Sequence, residues 1–523
     1  MNTPFETLRK LNQKIPLPQK TAFLAAFLIG LLVHLPAMLS DIPNHDGLAS
    51  MYFDQNMITS GRWFLTVACG FSSYFTVPWI IGLIGLFFLG LTAAVLAGLL
   101  ELKNPLTVCL TSGLLAVFPA LASTFAYVFT LDGYMMAMFL SVLAVALTKR
   151  YRIGFLPGAL CLAFSMGIYQ AYLPFAVLLC LEQILQMETE GKFGKSRRET
   201  LTQVGRYLGM GLLGAVFYYV ILRILLLLQG KELASYQGIN SMGAAQGPGL
   251  LTAVKTIYRD FFAFTFRGQV LFQNPFSAAA FFALTAAAAY AVLRLAVKRR
   301  WWKKIGFYGT LVGLTVCLPL AASCVLIVSP GATYHLLMRY QWVLFPISMA
   351  AYAERYFAKE ESSGSADTVF QWVTALSLAV LLFCYALTDN IAYSNLEKRY
   401  EKTYAYCLRL LDRIEQTPGY YQGIPIAMIG VVGDDVFPAT DLTGKVTANM
   451  IGLSGDSLLY TGANYEAFIK YYLGATLNIL DTEVMLDIYD SPEYVEMDSF
   501  PGETSTKVVD GILYVKTENK DRD

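Results

Sequence analysis

The chain has 523 residues, 56% hydrophobic and 15% charged, with a formal net charge of +1 and a mean hydropathy of +0.49. Soluble globular proteins carry about 25% charged residues, so this deficit, together with many long apolar runs, excludes an ordinary soluble domain and indicates a polytopic membrane protein. The small net charge hides a division. Residues 389–523 hold 22 Asp and Glu against 11 Lys and Arg, so a basic membrane body precedes an acidic, water-soluble tail, and no nucleic-acid partner is expected.

The first twenty residues, MNTPFETLRKLNQKIPLPQK, are basic and lead into an apolar segment without a small-residue cleavage site. That segment reads as a retained helix, and residues 1–20 as a cytoplasmic N-terminus. A window of roughly 19 residues picks out about eleven membrane helices between 21 and 388. They fall near 21–40, 76–100, 105–122, 131–148, 153–168, 171–187, 207–228, 276–297, 305–328, 340–353 and 368–388. Their basic flanks alternate: Arg9 to Lys20, Lys149 to Arg152, Lys192 to Arg206 and Lys298 to Lys304 all fall on one side, which is then the cytoplasm. The opposite face receives the outer loops 41–75 and 229–275, the turn around Asp132, the Tyr169-Gln170 connection, the segment 329–339 and the tail. Within 229–275 a Gly- and Ser-rich half precedes an aromatic, amphipathic half that reads as an interfacial helix.

The tail, 389–523, alternates helix and strand patterns: a helix at 395–416, a buried strand at 424–432, a helix at 465–475 and a strand at 511–516. A small extracytoplasmic α/β domain is expected. The eight cysteines lie mostly in apolar runs with no CxxC or Cys/His cluster, so neither a zinc site nor a disulfide framework is indicated. Phosphate-binding loop, nucleophile-elbow and HExxH patterns are missing as well.

The loop DIPNHDGLASMYFDQNMITSGRW, Asp41 to Trp63, concentrates the chemistry. An acid and a cation at a membrane surface suit sugar transfer from a lipid phosphate. The acceptor hydroxyl must lose a proton, which an Asp can take, a contribution of about 100- to 10,000-fold. The departing phosphate gains charge, which an Arg fork meets best. Asp46 is the first candidate base and Asp41 the second; either could instead cap a helix or face water. Asp54 reads as a solvated or structural acid. Candidate substrate-binding residues are Arg62, Trp63 and His45 in the loop, His335 and Arg339 at an outer helix end, and Arg267, with Arg259, in the aromatic outer segment. Each arginine could instead snorkel to the interface. Tyr169, Gln170 and Tyr172 could line a sugar site, Asp132 sits where a helix N-terminus favours an anion, and Asp434-Asp435 reads as a solvated turn rather than a metal site.

NHDGLASMYFDQNMITSGRW resembles the first outer loop of the bacterial type II Gtr glucosyltransferases, serotype-converting enzymes that modify cell-surface polysaccharide such as O-antigen. The segments GIYQAYL (167–173), YHLLMRY (334–340) and FPGETSTKVVDGILYVK (500–516) are similar to later parts of that family. The resemblance implies a GT-C-like fold, mainly α, with an acid of the first outer loop as base. Carried over, that role falls on Asp46, while His45 stands where the family often has the first acid of a pair. It also implies undecaprenyl-phosphate glucose as donor, inversion at the anomeric carbon, a cell-envelope glycan as acceptor, and a small flippase as partner in the bacterial membrane. No cofactor is implied, and a divalent metal is left open. Two other functions compete: a transporter or flippase of lipid-linked saccharides, which calls for acids and cations buried along its helices, and a glycan polymerase or ligase using the same kind of donor.

Overall fold

The computed structural model describes residues 3–50, 55–70, 75–189, 197–234, 250–268, 270–303, 305–328, 334–357, 364–429, 446–447, 450–453, 459 and 462–517. Asp54, Asp434, Asp435 and the Gly-rich stretch 235–249 lie outside the described residues.

The body is a bundle of helices whose order follows the apolar segments. A short amphipathic helix, α1 (Pro4–Lys14), is closed by a capping box in which Thr3 and Glu6 satisfy each other's backbone amides. Then come α2 (Leu17–Leu39), two short helices in the outer loop, α3 (His45–Ser50) and α4 (Leu65–Ala68), and α5 (Pro78–Leu99). Next, α6 (Pro105–Val117) and α7 (Pro119–Phe125) form one bent pair, with 44° between them. The bend has a local cause. Phe118 precedes a proline and is held extended at φ −67°, ψ 130°, and Pro119 then starts a new helix without an amide to donate backwards.

The bundle continues with α8 (Leu131–Arg150), α9 (Phe155–Ile168), α10 (Leu173–Thr189), α11 (Arg197–Gln229), α12 (Leu250–Arg267), α13 (Pro275–Arg299), α14 (Ile305–Ala322), α15 (Val325–Val328), α16 (Leu344–Phe357) and α17 (Ser365–Glu415). A helix covers each of the eleven apolar segments. Among the described residues, however, seven helices are long and apolar enough to cross a membrane, or eight if the α6–α7 pair counts as one span. Length and composition alone therefore qualify fewer helices than the eleven apolar segments. The physical reason is plain in α9 and α16: each has 14 residues, and 14 residues rise only about 21 Å against a hydrocarbon core of about 30 Å.

Contacts between loops sort the helix ends. Lys149 Nζ donates to Leu99 O at 3.0 Å and pairs with Glu101 at 3.6 Å. Glu354 accepts from the Lys103 and Asn104 amides at 2.6 and 2.9 Å, and Arg355 donates to Leu100 O at 2.9 Å. The connections 99–104, 149–154 and the end of α16 therefore meet at one basic end of the bundle. The loops containing Asp41, Arg62, Tyr169 and Tyr334 are at the other ends of the same helices.

The expected boundary at residue 389 falls inside α17, a single helix of 51 residues that rises about 76 Å. Composition changes there, while the helical backbone continues unbroken. Beyond α17 lies a four-stranded sheet ordered β2-β1-β4-β3, from β1 (Pro425–Ile429), β2 (Asn478–Ile479), β3 (Thr506–Val509) and β4 (Ile512–Lys516). β1 is parallel to β2 and β4, and β3–β4 is an antiparallel hairpin. Its turn, Asp510-Gly511, has φ of 49° and 81°, the two positive values that a tight two-residue hairpin requires.

Candidate active site

At the bundle end away from the basic loops, a cleft of about 240 Å3 opens between the end of α2, the start of α5, the turn after α7 and the middle of α17. Its walls include Pro36, Pro78, Phe125 and Phe129, and its polar lining includes Asp41, Asn390, Ser394 and Glu397. Asp41 as a whole residue is exposed, and the partial burial of its carboxyl against these walls pushes that group above its ordinary value. Gly47 lines the cleft, whereas the Asp46 side chain does not; it is largely exposed and stands 3.6 Å from His45 Nε2.

The cleft wall is tied across three helices. His34 of α2 is fully buried and stacks on Phe125 at 4.5 Å. Its Nε2 lies 2.7 Å from Ala116 O and its Nδ1 2.5 Å from the Tyr393 hydroxyl. A carbonyl can only accept, so Nε2 carries the proton, and in the neutral ring Nδ1 accepts from Tyr393. Tyr393, which lines the cleft, is thereby fixed to α2 and α6. The tail closes over the loop from outside. Tyr472 Oη donates to Asp41 O at 3.3 Å and Asn464 Nδ2 donates to His45 O at 3.2 Å. A side chain at Gly452 would meet Ala126 and Asn44 at 3.0 Å.

The Gly61-Arg62-Trp63 step is clamped separately. Gln170 Nε2 donates to Ser60 O at 3.3 Å and to Tyr218 Oη at 2.9 Å, and Tyr218 Oη donates to Gly61 O at 3.1 Å. Gly61 has φ +76°, and a side chain there would run into Tyr218 and Gln170, so glycine is needed both for backbone conformation and for space. Trp63 occupies the room left by Gly167, where a side-chain carbon would stand 2.5 Å from the indole. The clamp presents Arg62 over the Tyr169 ring at 4.8 Å, with its Nη1 donating to Tyr134 Oη at 3.3 Å. Tyr169 and Tyr134 stack at 4.4 Å beneath it. The structure thus gathers Arg62, Trp63, Tyr169 and Gln170 into one unit, and Asp41, with the backbone of the His45 turn, into another. The turn Val128–Thr130 joins them: it lines the cleft through Val128 and Phe129 and leads into Asp132 and Tyr134 on α8.

Other candidates lie elsewhere. Arg339 is 5% exposed and forms a bidentate pair with Asp260 of α12, both contacts at 2.7 Å. It also donates to Tyr334 O at 2.8 Å and stacks over Phe264 and Tyr334 at 4.1 and 4.0 Å. A guanidinium so engaged ties α12 to the turn that precedes α16. Asp260, its partner, was not singled out in the sequence, since only their meeting in space reveals it. Arg267 is exposed in the last turn of α12, and His335 precedes the turn Leu336–Val343. Asp132 is buried in the first turn of α8, where its carboxylate accepts from the Gly133 amide at 2.9 Å.

Three further acids escaped the sequence reading. Glu397 was lost in a charged helix pattern, although its four-residue spacing from Tyr393 and seven from Asn390 places it on the cleft side. Asp389 is fully buried, with no hydrogen bond to either carboxyl oxygen among the described residues. Glu182 sits within α10 in the field of Arg355, an acid inside an apolar segment. No group of three or more His, Cys, Asp or Glu side chains that could hold a metal ion occurs among the described residues.

The fold and its polar end define a class: a mostly helical membrane protein, with seven candidate membrane-spanning helices among the described residues, that carries a carboxylate-lined cleft and an arginine shelved on tyrosine rings at one end. The sequence model described as Glucosyl transferase GtrII matches residues 35–353, well over half of the chain, so the protein belongs to the GtrII glucosyltransferase family. No curated protein and no solved structure matches it. It is a membrane glucosyltransferase.

Proposed function

We propose that the chain moves glucose from a polyprenyl-phosphate donor to a cell-envelope glycan, on the outer face of the bacterial membrane, with inversion at the anomeric carbon. Eleven passes place the basic loops in the cytoplasm and the tail outside, with α9 and α16 as short, recessed spans. The observation that carries the reading is Asp41, a carboxylate in a cleft with apolar walls, at the bundle end away from the basic loops.

Asp41 acts as the base. The acceptor oxygen bonds to the anomeric carbon as the bond from that carbon to the phosphate oxygen breaks. The hydroxyl proton passes to Asp41, and the electron pair leaves with polyprenyl phosphate. A single displacement inverts the centre. Arg62, held by aromatic rings and backbone contacts, supplies the cation for the phosphate. Asp46, beside His45, is the alternative base.

A second reading, transport of a lipid-linked saccharide, draws on the buried acid Asp389 and the half-buried Glu182, since a conducting pathway would place acids inside its helices. Proteoliposomes containing polyprenyl-phosphate [14C]glucose, with envelope glycan outside, separate the two. Label covalently bound to glycan supports transfer. Donor that crosses the bilayer with no label in the glycan would overturn it in favour of transport, and joined glycan repeats without glucose would point to a polymerase or ligase.

A further inference from the structure

The cleft does not end at Asp41. Asn390, Ser394, Glu397, Tyr400 and Tyr404 follow one another on α17 at three- and four-residue steps, and Glu401 lies four residues from Glu397 on the same side. At 3.6 residues per turn they share about 120° of the helix circumference and climb about 21 Å along its axis. The lower three line the cleft itself. The upper part reaches an aromatic group: Tyr400 lies 6.4 Å from Tyr404 and 5.3 Å from Tyr472, ring to ring. Tyr472 is the residue whose hydroxyl holds the Asp41 backbone, and Tyr400 is close enough to feel the Asp41 charge. Tyr404, at the outer edge, is 38% exposed.

We infer that this face of α17 is the acceptor track: it binds a neutral saccharide chain along the helix and leads one hydroxyl of it to Asp41. The inference rests on the transfer reading above. Its composition fits that ligand. Amide, hydroxyl and carboxylate groups hydrogen-bond to sugar hydroxyls, and tyrosine faces offer flat, amphipathic surfaces to the C–H side of a sugar ring. The charge selects among glycans. Two carboxylates on the track, within a tail that carries 22 acids against 11 bases, repel a polyanion. Lys398 and Lys402 point off the track, at positions outside the shared arc. A lipid surface is a poor occupant for a face studded with acids. The continuity of α17 from the membrane body into the tail then has a use, because one rigid rod sets the distance between the bound glycan and the base.

The test uses the full-length protein in vesicles, polyprenyl-phosphate [14C]glucose, and neutral envelope polysaccharide extracted from the source cells. Removing the outermost ring, Tyr404→Ala, is expected to raise the acceptor KM about fivefold, while Tyr404→Phe, which keeps the stacking face, stays within about twofold of wild type. The donor KM moves in neither. Tyr421→Ala, an exposed tyrosine off the track, matches wild type throughout. A Tyr404→Ala protein with an unchanged acceptor KM, or one that loses kcat with no change in KM, overturns the track. Wild-type protein that transfers no label to the polysaccharide overturns the glucosyl-transfer reading itself, and the track with it.

Discussion

The Arg339–Asp260 pair allows a quantitative test, because its two ends are unequally buried. The Arg339 side chain is 6% exposed and that of Asp260 24%. Asp260→Ala leaves a guanidinium enclosed by Phe264, Tyr334 and Trp342 with no anion. Removing one partner of a buried pair costs about 3–5 kcal/mol, and the lower end, about 3 kcal/mol, applies because water already reaches Asp260. Arg339→Met fills the aromatic cage and leaves Asp260 to rehydrate, so it costs less, about 1–2 kcal/mol. The double variant resembles Arg339→Met alone, since the stranded charge is gone. Equilibrium unfolding in detergent, run as a double-mutant cycle, reads all three. Additive losses, or an Asp260→Ala loss below about 0.5 kcal/mol, would refute the tether. So would an Arg339→Met protein of full stability whose donor KM is raised tenfold, since that is how a phosphate ligand behaves.

Other expectations follow from the loop. Gly61→Ala combines positive-φ strain of about 1–3 kcal/mol with a collision against Tyr218 and Gln170. It should displace Arg62 and raise the donor KM; an unchanged KM would show that the clamp does not position the arginine. The pH profile of kcat/KM gives a third check. Asp41 must be ionised to take a proton, so activity is present above its pKa and lost as pH falls through it. Burial raises that pKa above 3.8, which moves the acid limb upward. Val128→Thr, a polar substitution in the cleft wall, should move the limb back toward lower pH, and a limb that stays in place would remove Asp41 from the profile.

Hydropathy made the bundle legible because lipid imposes a requirement that each segment meets alone: every apolar run became a helix. The same signal does not measure helix length, since α9 is apolar with only 14 residues. It also divided α17 at the point where apolar residues give way to charged ones, although helix propensity continues through NLEKRYEKTYAY. In the tail, β1 and β4 were readable as short apolar runs, but β2 has two residues and exists only through its pairing with β1. The site was half legible. Asp41, Arg62 and Trp63 stand out as polar residues in an otherwise apolar context. Their settings do not, because Gln170 reaches Ser60 across 110 residues and Arg339 reaches Asp260 across 79, and no local pattern records such meetings. The reading of the loop put Asp46 ahead of Asp41, and the resemblance did the same, whereas the cleft is lined by Asp41.

The most direct measurement compares Asp41→Asn with Asp46→Asn in vesicles supplied with polyprenyl-phosphate [14C]glucose and envelope glycan, each variant first shown to be folded. Loss of a general base predicts a fall in kcat of about 100-fold or more for Asp41→Asn, while Asp46→Asn keeps most of its rate. An Asp41→Asn protein that transfers glucose at the wild-type rate would contradict the account.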